Sequence, residues 1–171
     1  MSAADTDHLY IGSAGEYRVM AELLARGYNV AVPRVDTGDD VLVIKVEDEG
    51  DEYSLRRVQV KTARPATKSG SYTFKVKRLQ LESAANVDLW YVFLARSSDR
   101  WLSTMVFRRE VLRDVQWKRQ RKSSGDTVTF EITLSDDGKT AMLGSAELSK
   151  HIDDWEDWPT ILPGTLTPLR R

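Results

Sequence analysis

The sequence predicts an α/β domain: a mixed central sheet flanked by helices, with a β-hairpin and a further helix appended at the C-terminal end. Three observations carry that prediction. Residues 14–26 repeat their apolar positions with helical period, and strand-like runs follow them, so helix and strand alternate from the start. Two runs, Val41 to Val46 and Val87 to Ala95, are apolar on both alternating faces, the pattern of a strand covered on two sides. The 171 residues make one domain of ordinary size, and folding at that length buries roughly 70% of the surface an unfolded chain exposes.

Residues 1–10 read as a flexible lead-in, 11–115 as the core of the domain and 116–171 as an extension of it. The spacing places a helix over 14–26, with Ser13 as N-cap, Glu16 at the third helical position and Gly27 just past its end. Val19, Met20, Leu23 and Leu24 form its apolar stripe, so Glu16 stands at the edge of the core. A short strand over Tyr28 to Val32 stops at Pro33, and the turn Asp36-Thr37-Gly38-Asp39 delivers Asp40 to the entry of the strand Val41 to Val46, expected to be central. The returning strand, Leu55 to Lys61, carries Val58 and Val60 on one face and Arg57, Gln59 and Lys61 on the other. Tyr72 to Val76 is a further strand, Leu79 to Ala85 a short helix or turn, and Val87 to Ala95 pairs with Trp101 to Phe107 to complete one mixed sheet. Arg108 to Val115 reads as a helix, Thr127 to Leu134 with Thr140 to Leu143 as a hairpin, and Ala146 to Trp155 as an amphipathic helix using Leu148, Ile152 and Trp155.

Composition narrows the chemistry. The chain has no Cys and only two His, His8 and His151, which excludes a Cys/His zinc site, a thiol nucleophile and a thiol redox pair. Both His read as surface residues. The net charge is −1, so any affinity for nucleic acid comes from local patches rather than a global cationic field. No window approaches the ~18 apolar residues of a membrane span. The first eight residues are small and acidic where an export leader is basic and then apolar, so the expected location is the cytoplasm.

The informative feature is an ordered set: a helix carrying Glu16, Asp40 at the start of an apolar strand, then Gln59-Val60-Lys61 on the returning strand. Hydrolysing a phosphodiester calls for a hard divalent cation on oxygen ligands and a positive charge near the developing pentacoordinate phosphate. Asp40 offers a carboxylate, Gln59 a side-chain carbonyl and Val60 its backbone carbonyl, while Lys61 projects from the same strand face as Gln59, roughly 6.5–7 Å along it. Each has a plain structural reading as well: Ser13-x-x-Glu16 is a capping box, Asp40 a turn residue, and Gln59 with Lys61 the polar face of a half-exposed strand.

Gly12-Ser13-Ala14-Gly15-Glu16, the helix through Arg26-Gly27-Tyr28, Asp36-Thr37-Gly38-Asp39-Asp40-Val41 and Val58-Gln59-Val60-Lys61-Thr62 resemble, in order and spacing, the core of the PD-(D/E)XK nuclease superfamily. Within it the small restriction-endonuclease-like and Holliday-junction-resolvase-like domains are the most similar, and the resemblance spans residues 11–95. It implies a restriction-endonuclease-like fold and DNA phosphodiester hydrolysis with Mg²⁺ or Mn²⁺. By position, Asp40, Gln59, Val60 and Glu16 would hold the metal and Lys61 would assist the attacking water. Two departures stand out. No Pro precedes Asp40, and Gln59 stands where the family usually has an acid, although some members use Gln-x-Lys. Losing one unit charge at about 4 Å from a divalent ion forfeits roughly 8 kcal/mol of gross Coulomb attraction at an effective dielectric near 20, partly returned as lower desolvation. Glu16 is the expected compensating carboxylate, with Asp36 or Asp39 behind it.

Seven basic residues between Arg108 and Lys122 flank Trp117. This stretch reads either as a phosphate-neutralising strip, through Lys118, Arg119, Arg121 and Lys122, or as a solvated helix face. Arg57, Arg64 and Lys68 lie nearer the Gln-Val-Lys strand and are the other candidate DNA contacts. Trp155 and Trp158 are expected as core or interface anchors, with the acidic run 153–157 facing away from DNA. The expected partners are DNA and a second copy of the chain, as dimer or tetramer, since cutting both strands of a duplex takes two symmetry-related sites. The alternative is a catalytically inactive nucleic-acid-binding or protein-interaction module on the same fold.

Overall fold

The computed structural model describes residues 3–35, 38–46, 53–65, 70–83, 88–119, 125–156 and 158. The first helix, α1 (Ala3–Ala25), is followed by β1 (Asn29–Ala31), β2 (Val41–Val46) and β3 (Tyr53–Ala63). Next come β4 (Ser71–Lys77), α2 (Arg78–Glu82), β5 (Leu89–Arg96), β6 (Trp101–Arg108) and α3 (Arg109–Arg119). The C-terminal part holds β7 (Thr127–Leu134), β8 (Ala141–Leu143), β9 (Ala146–Glu147) and one 3-10 turn (Ser149–His151).

Helix α1 starts well before Ser13 and takes in residues 3–10, the expected flexible lead-in. Ser13 is thus interior to the helix and caps nothing, which removes the capping-box reading of Glu16. The C-terminal end is as expected: Gly27 has φ +84. The Gly27 N–H donates to the Leu24 carbonyl at 2.9 Å and the Tyr28 N–H to the Leu23 carbonyl at 3.1 Å, the paired bonds of a Schellman ending.

Strands β1, β2, β3, β5 and β6 form a five-stranded mixed sheet in that order, with β3 and β5 parallel and the other pairs antiparallel. The centre is therefore β3, not β2. Leu42 and Ile44 stay half-exposed, so the fully apolar run of β2 is buried on one face only. Strand β4 is the larger departure. It leaves this sheet and joins β7, β8 and β9 in a second, four-stranded sheet, so the expected C-terminal hairpin is part of a layer rather than an appendage.

Period-two alternation splits the first sheet between two cores. Tyr91, Phe93 and Ala95 of β5 face the second sheet, where the Phe74 and Phe93 rings stack at 4.5 Å and Phe107 and Phe130 close around them. Trp90, Val92 and Leu94 face α1, with Val58 and Val60 of β3 and with Val19 and Leu23 of the helix. The helix comes closest at Gly15, where a Cβ would overlap Thr62 Oγ1 and crowd Leu94.

The amphipathic helix expected over 146–155 does not form. Gly144, at φ +59, turns the chain into the pair Leu143–Ala146. Ile152 then bridges Met105, and Asp153, at φ +49, donates its N–H to the Thr104 carbonyl. Leu148 enters the core between the sheets and Trp155 the core under α1, so the helix-like spacing serves two separate destinations. Trp158 is fully buried, edge-on to Tyr28 and Trp90, which makes Trp155 and Trp158 core anchors. His151 is not on the surface. Only 8% exposed, it packs on Phe107, and burial pushes its pKa below the ordinary 6.5, with Lys150 adding to that and Asp154 opposing it. The His8 side chain lies outside the described residues.

Two outcomes follow from this packing. Gly15→Ala should destabilise the chain by about 1–3 kcal/mol through overpacking, and Thr62→Ala in the same chain should recover part of it, as read by urea unfolding. The native state binds the His151 proton more weakly than the unfolded chain does, so this residue's stabilising contribution is complete above pH 6.5 and is lost as pH falls below it. Thermal melts from about pH 7.5 to about pH 5 should show a smaller loss in His151→Gln than in the parent.

Candidate active site

The site forms where β2 ends and β3 continues. Val41 pairs with Val58, and beyond that pair the ladder has no further residue of β2. Val60 is the next residue of β3 whose N–H and C=O point to the β2 side, since successive residues alternate edges. Its N–H donates to Asp40 Oδ2 at 2.7 Å, so a carboxylate takes the place of the missing ladder carbonyl. Asp40 is tied in turn by its own N–H, which donates to the Val58 carbonyl at 2.9 Å. This holds the half-buried carboxylate close to the plane of the sheet, on the edge to which the Val60 carbonyl also points.

Gln59 and Lys61 share the face toward the second sheet, opposite Tyr91 and Phe93 of β5. Gln59 is 2% exposed. Its Nε2 donates to the Gly38 carbonyl at 2.7 Å, and Gln80 Nε2 of α2 donates to that same carbonyl at 2.9 Å. Two amides thus clamp the residue two before Asp40. Gly38 sits at φ +94, and a Cβ there would run into the Gln80 amide, so the clamp needs glycine for both conformation and room. With its nitrogen committed, Gln59 turns its carbonyl oxygen the other way, where it is buried with no partner among the described residues. The half-buried Lys61 has no hydrogen-bond or ion-pair partner among the described residues.

Next to the clamp, Arg57 Nε and Nη2 bond the two oxygens of Asp39 at 2.8 and 2.9 Å. This bidentate pair takes Asp39 out of the reserve of metal-binding carboxylates and commits the Arg57 guanidinium to Asp39. Below it the Tyr91 hydroxyl is pushed well above its ordinary range, chiefly by burial, with Arg109 pulling down, Asp39 up and Arg57 down. Gln80 and the buried Arg109, which donates to the Leu81 carbonyl at 3.0 Å, have no signal in sequence, because nothing in a linear pattern marks α2 and α3 as neighbours of the Asp40 turn.

Asp40, Gln59, Val60 and Lys61 are therefore brought together. Glu16 is half-buried on α1, one residue past Gly15, the point of contact with Thr62, and the helix itself packs on the Val58 and Val60 side of the sheet. Of the basic candidates, Arg64 is exposed just past the end of β3, while Lys68, Arg121 and Lys122, like Asp36, lie outside the described residues. So do the side chains of Lys118 and Arg119 at the end of α3.

Glutamate at position 59 can no longer donate to the Gly38 carbonyl, so two acceptors would face each other in a buried site. Gln59→Glu should therefore lose about 1–3 kcal/mol of stability. Denaturant unfolding of the variant and the parent checks this.

Comparison with known proteins adds the following. The model of the PD-(D/E)XK endonuclease family matches residues 6–93, which include Glu16, Asp40, Gln59 and Lys61. Among solved structures, a bacterial homing endonuclease is similar in fold, with a TM-score of 0.50 and 18% identity, over 84% of this chain and 86% of its own. Hjc, a Holliday junction resolvase from the archaeal hyperthermophile Archaeoglobus fulgidus, matches over 70% of this chain and 83% of its own, with 10% identity and a TM-score of 0.41. No curated protein matches the chain in sequence.

Proposed function

The chain belongs to the PD-(D/E)XK endonuclease family and has its restriction-endonuclease-like fold, and from that premise we propose that it is a metal-dependent endonuclease that hydrolyses DNA phosphodiester bonds. The observation that carries this reading is the Asp40 carboxylate held against the Val60 N–H at 2.7 Å, beside a strand that presents Gln59 and Lys61 from one face. Nucleases of this family generally use divalent metal ions, and the donor set fits one: a carboxylate, a backbone carbonyl on the same strand edge, and the buried Gln59 carbonyl oxygen that no group among the described residues satisfies. Asp40, the Val60 carbonyl and Gln59 would hold Mg²⁺ or Mn²⁺, with Glu16 as the further carboxylate. Bound there, such an ion supplies Lewis-acid stabilisation of charge on the phosphate and a more acidic water.

The residues' own tasks follow from their placement. Val60 fixes the direction of the Asp40 carboxylate, and the Gly38 clamp holds the turn that delivers it. Lys61 provides a positive charge for the phosphate and orients the attacking water, which an ammonium with three donors does without fixed geometry. Arg64, exposed three residues further on, is the nearest described contact for a flanking phosphate. Lys68, Lys118, Arg119, Arg121 and Lys122 extend the proposed DNA contacts. The protein would act in the cytoplasm. No described helix is long and apolar enough to cross a membrane.

One observation favours the competing reading, a catalytically inactive nucleic-acid-binding or protein-interaction module. Among the described residues no three acidic or His side chains gather as a metal site would have them. Incubation with supercoiled, linear and branched DNA and Mg²⁺ or Mn²⁺ decides between the two. We expect cleavage that falls at least about 100-fold in Asp40→Asn and in Lys61→Ala, matching the loss of one strong electrostatic group. Cleavage that survives in both variants, or the absence of Mn²⁺ uptake by calorimetry with DNA present, would reject catalysis at this site.

A further inference from the structure

Helix α1 is apolar on two opposite faces. Ile11, Gly15, Val19 and Leu23 are buried against the sheet. Half a turn around, Tyr10, Ala14, Tyr17, Ala21 and Leu24 form a second stripe at alternating spacings of four and three, and all five are exposed. Between residues 9 and 25 nine positions are exposed, and of these only Arg18 is charged. A helix apolar all round is normally covered all round, and the sheet covers half of this one.

We infer that the exposed face of α1 is the surface on which two copies of this chain associate, helix against helix and antiparallel. Its near lack of charge argues against DNA as the occupant, because phosphate binding needs several cations on one face. Its pattern argues for a second copy. A two-fold axis level with the step from Gly15 to Glu16 sets Tyr10 over the partner's Ala21 and Tyr17 over the partner's Ala14, and the converse by symmetry. Every ring then lies on a methyl group and every contact is repeated, as an isologous interface requires. The area suffices. Tyr10 and Tyr17 are 73% and 69% exposed, and Leu9 and Leu24 60% and 55%. With the alanines, these expose roughly 600 Å² per copy, so their complete burial gives about 1,200 Å² in all, the lower bound of a specific interface.

The test reads mass and cross-linking, so it stands or falls independently of catalysis. Light scattering of the full chain should give twice the chain mass, and Tyr17→Arg, at an exposed position, should give a monomer that still unfolds in one cooperative transition, with a midpoint that no longer rises with protein concentration as the parent's does. The sequence has no Cys, so introduced pairs report without background. Tyr10→Cys/Ala21→Cys should oxidise to a covalent dimer. Within one helix these positions stand about 16 Å apart, far beyond the ~7 Å limit for a disulfide, and neither single variant should cross-link. A monomeric parent overturns the inference. So does a dimer that ignores Tyr17→Arg and leaves the cysteine pair unlinked, or a parent that dimerises only after residues 159–171 are removed, which would make that segment the occupant.

Discussion

A buried backbone N–H must find a partner, and at Val60 the strand that should provide one has already ended. The Asp40 carboxylate fills the gap. That exchange of a ladder carbonyl for a side chain fixes a carboxylate at a strand edge, in line with a backbone carbonyl pointing the same way. Leaving the N–H unsatisfied would cost about 1–3 kcal/mol, so the carboxylate is held in place by the same accounting that holds the sheet together.

The polar groups around Asp40 are supported in kind. Gly38 offers a carbonyl to two buried amides from elements 21 and 42 residues away along the chain. Asp39 is saturated by a bidentate arginine. Removing either member of such a pair leaves the other buried without its counter-charge, which is far costlier than the pair's net worth. The turn from Gly38 to Asp40 is thus constrained at three successive residues, and the constraint reaches Asp40 last. It also gives glutamine at position 59 a reason other than metal chemistry: its amide is the second donor on the Gly38 carbonyl beside Gln80, and a carboxylate cannot replace it.

The two-layered core explains why this end of the sheet stays polar. Phenylalanines from both sheets fill the space behind β5, while the tryptophans and α1 fill the other side. Arg56 and Arg108 lie over Trp90, and Arg26 lies over Trp155, so guanidinium groups roof the aromatic core where it meets water. Cation–π contacts of this sort allow charge to sit on apolar surface at little cost.

Much of this was legible in the sequence. The helix ending at Gly27, the returning strand with its alternating Val and polar positions, and the ordered set Asp40, Gln59, Lys61 each follow from local rules: a left-handed residue after a helix, a period of two, a turn before an apolar run. Such signals work because they involve neighbours in the chain. What failed needed partners far along it. Ser13 looks like a cap only if the helix starts there, and whether it starts there depends on preceding residues with weak preferences of their own. Leu148, Ile152 and Trp155 have helical spacing, yet they are drawn into two cores lying on opposite sides of one sheet. Strand β4 carries nothing to say which sheet it joins, and Gln80 nothing to say that it reaches Gly38. The sequence alone determined which polar side chains were available and on which strands they stand. Only the tertiary structure decided how those side chains are held, because the groups that hold them are assembled by packing between distant segments.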